Sequence, residues 1–140
     1  MKVPGKGTLL KVEIGGAMVT IGQVMSIECP NQKMETVETD ELGNTDAGIP
    51  KTATGRTDRG EISAEVWFDP SLSNHAAIVT WLGQTPPEEK DVSVTFKTST
   101  PIVYTWSDCP GGELSGPKVS VNEPIKATIK IVCNKTLTVA

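Results

Sequence analysis

The sequence predicts a mainly β fold: an antiparallel β-sandwich or barrel with one α-helix packed on its side. Several stretches alternate apolar and polar residues with the two-residue period of a half-buried strand. Only one stretch has helical spacing, and nowhere do strands and helices alternate as a parallel sheet requires. The chain's 140 residues suit a single domain over 1–140, able to bury roughly two-thirds of its unfolded surface.

The organising stretch is Thr54 to Pro70, T-G-R-T-D-R-G-E-I-S-A-E-V-W-F-D-P. A polar turn built on Gly55 and Gly60 leads into a strand. Ile62, Ala64, Val66 and Phe68 point to one side, and Glu61, Ser63, Glu65 and Trp67 to the other. An acidic face that ends on a large aromatic implies that it meets a partner subunit or a confined aqueous space.

In chain order, Gly7 to Ile14 is a first strand with Leu10, Val12 and Ile14 inward. Gly15-Gly16 closes a hairpin onto a returning strand, Met18 to Glu28, whose alternation slips at Gly22-Gln23 as at a bulge. Pro30-Asn31 stops that strand. Lys33 to Thr39 has high β-propensity and little hydrophobicity, so it is expected to be solvated on at least one face. Asp40 to Asp58 then reads as a long loop, with Leu42, Ala47, Ile49 and Ala53 its apolar residues. Loops of that length inside a compact domain are usually functional or disordered. An arm that orders on a neighbouring subunit recovers its ordering entropy when the neighbour docks.

Asp69-Pro70 ends the central strand, and Ser71 or Ser73 is placed to cap a helix from Leu72 to Leu82. Its expected buried face is Leu72, Ala76, Val79 and Leu82 with Ile78 beside them, and Gly83 is expected as a left-handed C-terminal residue. His75 is expected at the surface. Strands follow at Asp91–Lys97 and Ile102–Ser107, then turns at Cys109-Pro110-Gly111-Gly112 and Gly116-Pro117. Pro124 divides Val119–Val121 from the strand that begins at Ile125. Ile125, Ala127, Ile129, Ile131 and Cys133 alternate there with Lys126, Thr128, Lys130 and Val132. The total is about eight strands and one helix.

A net charge of −4 argues against binding nucleic acid by phosphate neutralisation, which needs clustered Lys and Arg. Cys29, Cys109 and Cys133 have no C-x-x-C spacing and share the chain with a single His, so no metal site is expected. They read as reduced, partly buried thiols, with one disulfide left open. The opening Met-Lys-Val-Pro-Gly has no apolar run behind it, so no secretory signal is expected, and no stretch approaches a membrane span. There is no G-x-S-x-G, Walker or dinucleotide-binding motif. Glu61 and Glu65 lie about 13 Å apart on a strand, too far for paired-carboxylate hydrolysis. No enzymatic activity and no cofactor are expected.

The order of parts resembles the tail tube (major tail) proteins of long-tailed bacteriophages. The residues that carry the resemblance are the opening Gly7-Thr8-Leu9-Leu10-Lys11-Val12, the Thr-and-acid strand Met34–Thr39, and the long loop. Next come Gly55-Arg56-Thr57-Asp58-Arg59-Gly60-Glu61 running to Phe68-Asp69-Pro70, the single helix, and the closing Lys126–Ile131. Cys109-Pro110-Gly111-Gly112 departs from the pattern. The resemblance implies a structural virion protein whose hexameric rings stack into a hollow tube. DNA would pass through the lumen without specific binding, in a tail assembled in the host cytoplasm. It implies other copies of the chain as partners, together with tape measure, tail terminator and tail tip proteins, and no membrane. Asp40, Leu42, Ile49, Arg56, Asp58 and Arg59 are then candidates for contacts between subunits and rings. Glu61 and Glu65, and secondarily Glu35 and Glu38, are candidates for an acidic lumen. The alternatives are a type VI secretion-like tube subunit, or a monomeric β-sandwich binding module with Trp67, Trp81 or Trp106 as its platform.

Overall fold

The computed structural model describes residues 2–140 except 44, 46, 85 and 135. The strands are β1 (Leu9–Ile14), β2 (Ala17–Thr20), β3 (Val24–Glu28), β4 (Lys33–Glu38), β5 (Lys51–Asp58), β6 (Glu61–Trp67), β7 (Lys90–Phe96), β8 (Ile102–Cys109), β9 (Gly111–Ser120), β10 (Glu123–Val132) and β11 (Leu137–Val139). One helix, α1 (Ser73–Leu82), separates β6 from β7. A five-stranded sheet in the order β11-β8-β7-β1-β2 packs on a four-stranded sheet in the order β3-β6-β10-β9. All their pairings are antiparallel. β4 and β5 pair only with each other, as a third sheet.

Alternation builds the sandwich. Leu10, Val12, Val92, Val94 and Trp106 from the first sheet form one core with Ile62, Ala64, Val66, Ile129 and Ile131 from the second. Each of these side chains is at most 3% exposed. β6 and β10 pair from Trp67↔Lys126 to Glu61↔Val132, so their inward residues stand side by side. Ile78 and Trp81 of α1 join the same core, and the Trp81 indole N–H donates to the Glu88 carbonyl at 2.6 Å.

The slip expected at Gly22-Gln23 is larger than a bulge. There the chain leaves the first sheet after β2 and enters the second at β3, with Gln23 at φ 61°. Two side chains of α1 hold this corner: the Asn74 amide donates to the Thr20 carbonyl at 2.7 Å, and His75 Nε2 lies 2.7 Å from the Gly22 carbonyl. The Asp69 backbone N–H donates to His75 Nδ1 at 3.0 Å. Nδ1 is therefore the acceptor and Nε2 carries the proton. His75 is 1% exposed and stacks on Phe68 with ring centroids 5.6 Å apart. The surface position expected for it is corrected: both ring nitrogens find backbone partners, which is what permits burial of a polar ring. Of the expected face Ile78 is buried, joined by His75 and Trp81; Leu72 and Leu82 are half-buried, and Ala76 and Val79 are exposed.

Both ends of the helix also differ from expectation. The N-cap is Leu72, with no side-chain cap. Asp69 Oδ1 instead accepts from the Ser71 N–H at 2.9 Å and from its hydroxyl at 2.6 Å, closing the turn just before the helix. Gly83 is right-handed at φ −88°, with its N–H bonded to the Val79 carbonyl.

The turn read at Cys109–Gly112 narrows to Pro110, between β8 and β9; Gly111-Gly112 and the turn read at Gly116-Pro117 lie within β9, and Gly112 shows why. A Cβ built there would stand 1.9 Å from the Lys130 carbonyl oxygen, so only glycine lets β9 pair this closely with β10. Pro117 sits in an edge strand, where its missing N–H leaves no ladder bond unmade. The loop expected over about 40–58 is shortened, because Lys51–Asp58 is a strand. Pairing with β4 supplied the order that its Thr-rich, weakly apolar sequence did not advertise. Asn44 and Asp46 of that loop lie outside the described residues.

Gly112→Ala is expected to cost about 2–4 kcal/mol, because backbone must move to admit the methyl group; urea unfolding measures it. The Ser71 hydroxyl and then its N–H hold the Asp69 carboxyl below the usual carboxylate range. A depressed folded value stabilises the protein above the unfolded value and is lost as pH falls through the folded one. Asp69→Ala should therefore melt below the parent at neutral pH, with the two melting temperatures converging as pH drops beneath the ordinary carboxylate range.

Candidate assembly surface

The β4–β5 arm is a hairpin with every described residue of both strands exposed. Its register runs from Lys33↔Asp58 to Glu38↔Lys51, placing opposite charges across the ladder at both ends. The Thr54 hydroxyl donates to the Glu35 carbonyl at 3.3 Å, and the Thr39 N–H donates to the Pro50 carbonyl at 2.9 Å. At its base, the Arg59 guanidinium bonds the Gln32 side chain, and Asp58 Oδ1 accepts from the Gly60 N–H at 2.9 Å. Gly60 has φ +72°, and a Cβ there would stand 2.8 Å from the Asn31 carbonyl oxygen. The arm therefore swings into β6 over a position that only glycine fills.

A lone two-stranded hairpin is marginal in water, and this one carries uncovered apolar side chains. Met34 is 57% exposed, Val37 47% and Ile49 55%, while Leu42 is fully exposed. Of the residues expected at subunit contacts, Arg56 and Asp58 lie on β5, Asp40, Leu42 and Ile49 in the connection, and Arg59 at the base. Met34 and Val37 were missed, being read only as part of a solvated strand. Their signal was two large apolar residues in a segment with no core face.

Glu61 and Glu65 lie exposed on the outer face of the four-stranded sheet. Glu35 and Glu38 are not beside them: both are on β4, in the separate arm. The register also interleaves cations that the sequence reading left out. Lys130 stands between Ser63 and Glu113, Thr128 between Glu65 and Ser115, and Lys126 between Trp67 and Lys118. Lys126 Nζ sits 5.1 Å from the Trp67 ring centroid and 3.6 Å from a Glu123 carboxylate oxygen. The face expected to be acidic is thus a mixed lattice of Glu and Lys. Each strand's own alternation was legible, but which charges became neighbours depended on pairing.

Among the described residues, no three His, Cys, Asp or Glu side chains gather into a metal site. None of their helices is long and apolar enough to cross a membrane. Trp81 and Trp106 are 2% and 1% exposed, so neither serves as a binding platform. A groove of about 820 Å³ runs between the segment near Val3 and Lys6, β3 at Met25 and Ile27, and Phe96 of β7.

No family model matches the chain, and no curated protein sequence does. Solved structures do match. A chain in the extended-state sheath–tube complex of the extracellular contractile injection system PVC superposes with a TM-score of 0.74 at 14% identity, covering 99% of this chain and 91% of that one. A chain in the tail of an empty GTA particle, a structure with C6 symmetry, gives 0.69 at 15% identity, covering 98% of both. Hcp1 from Flavobacterium johnsoniae gives 0.53 at 18% identity, covering 94% of both. With agreement over nearly its whole length, this chain has the tail-tube fold.

Proposed function

We propose that the protein is a structural, non-enzymatic tube subunit whose copies form six-membered rings that stack into a hollow tube. The observation that carries this reading is the arm, an ordered hairpin that exposes Met34, Val37, Leu42 and Ile49 outside the core of its own chain. Covering those side chains with a neighbouring copy removes apolar area from water and stabilises a hairpin that is weak alone. The fold shared with chains of the PVC sheath–tube complex and the six-fold GTA tail supports the same reading.

The four-stranded sheet has two edges, β3 and β9. Joining β3 of one copy to β9 of the next continues the sheet around a ring and removes the exposed edges that isolated sheets must protect. Its outer face, with Glu61 and Glu65 among lysines, then lines the lumen. Interspersed charge of both signs offers passing DNA no cationic stripe to hold. The arm, with Asp40, Arg56, Asp58 and Arg59, reaches the next ring, a heterologous contact that propagates without closing. In this reading the tube belongs to a phage-type tail, and its partners are further copies and the proteins that initiate, measure and terminate it. The likeness to Hcp1 favours a second reading, a secretion-system tube subunit with the same ring.

Negative-stain microscopy of the purified protein over a concentration range should show hollow tubes or six-fold rings. Monomers throughout would shift the assignment to a binding module. Met34→Thr with Val37→Thr should alter unfolding stability by no more than about 0.5 kcal/mol, as expected for exposed positions, yet abolish stacking in the same microscopy. Unchanged tubes would remove the arm from the contact. Replacing Glu61 and Glu65 by Lys should leave assembly intact and slow DNA passage in an ejection assay. An unchanged rate would take these residues out of the lumen.

A further inference from the structure

We propose that Cys109 and Cys133 form a modification site, a latent disulfide that staples the two sheets together when the protein meets a two-electron oxidant such as a peroxide. Both thiols are free and buried, at 0% and 6% exposure. Cys109 is the last residue of β8, in the five-stranded sheet. Cys133 follows the last residue of β10, in the four-stranded sheet. The chain crosses between the sheets at Pro110, and the β9–β10 ladder pairs Gly111 with Val132 one step away.

Both backbones are held in place. Cys109 pairs with Lys90 of β7, and the Cys133 N–H donates to the Gly60 carbonyl at 2.9 Å. Both belong to one core cluster, where the Cys109 thiol donates to the Trp106 carbonyl at 3.6 Å and the Cys133 thiol to the Ile131 carbonyl at 3.9 Å. Closing an S–S bond of about 2.05 Å requires both side chains to rotate off these carbonyls toward each other. The neighbouring Cys133 thiol holds the Cys109 thiol below its ordinary value. The Cys109 thiol in turn, followed by burial, pushes Cys133 up. Of the two, Cys109 therefore gives up its proton first, and its thiolate is the one that attacks.

The Cys109 sulfur forms a bond to one peroxide oxygen as the O–O bond breaks, giving a sulfenic acid. The released hydroxide takes up a proton and leaves as water. The Cys133 sulfur then attacks the Cys109 sulfur, the S–O bond breaks, and the departing hydroxide carries away the Cys133 proton as a second water. Two thiols lose two electrons and two protons, and one peroxide becomes two waters. A peroxide is small enough to enter during local opening at the end of β8. The bond closes a loop of about 25 residues across the sandwich, which constrains the unfolded chain.

The test uses the full-length Cys29→Ser protein, which removes the exposed thiol without touching the pair. The folded protein is treated with hydrogen peroxide, quenched, and assayed by thiol titration under denaturing conditions, intact mass and peptide mapping. The expected result is loss of both thiols and of about two hydrogen masses per chain. A peptide joining Cys109 to Cys133 should appear, with reversal by reductant. The melting temperature should rise by roughly 10 °C, and Cys109→Ser or Cys133→Ser should abolish that rise. Two persisting thiols in the treated protein would overturn the proposal, as would oxygen adducts on either cysteine without a crosslink.

Discussion

The antiparallel ladder between β6 and β10 is the constraint on which the rest of the molecule depends. Its register, Trp67↔Lys126 through Glu61↔Val132, puts Ile62, Ala64 and Val66 beside Ile131, Ile129 and Ala127 on the core side. A slip of one residue would turn the three inward residues of one strand outward and bring its Glu or Lys into the core, so the apolar pattern enforces this register. Once it is set, β3 and β9 can add only at the two sides, and the composition of the outer face follows. Gly112 admits β9, Gly60 carries the arm over Asn31, and the Gly60 carbonyl ties the end of β10 at Cys133.

The second sheet joins through corners. At Gly22-Gln23 the lock is α1, whose Asn74 and His75 side chains take the carbonyls of Thr20 and Gly22. At Pro110 the crossing is flanked by the buried thiols of Cys109 and Cys133. A polar ring and two sulfurs thus occupy positions where the chain changes sheets and regular ladder bonds are interrupted. His75 serves as a structural joint with both nitrogens engaged, which leaves no lone pair for chemistry.

Against this well-ordered sandwich the arm is the exception. It satisfies its backbone through the β4–β5 ladder, yet its side chains cover no core and are covered by none. That mismatch, ordered backbone with uncovered apolar side chains, links local structure to assembly. An isolated chain gains little from holding the arm in place, whereas a stack of copies gains at each ring.

Much of this was legible in the sequence because it is local. The alternations of Leu10 with Val12, of Ile62 through Val66, and of Ile125 through Ile131 determined the main strands and their inward faces. The sequence also determined one helix after Asp69-Pro70. What only the tertiary structure decided are properties of pairing. Lys51–Asp58 became a strand because β4 lies against it, and Gly111–Ser120 because Gly112 can approach Lys130. The outer face became a mixed lattice because pairing set Lys118, Lys126 and Lys130 on the same face as Glu61, Glu65 and Glu113. His75 was buried because the Gly22 carbonyl, distant in the chain, and the Asp69 N–H converge on one ring. Periodicity reports which way a side chain points; the neighbour it finds there depends on how strands distant in sequence pack together.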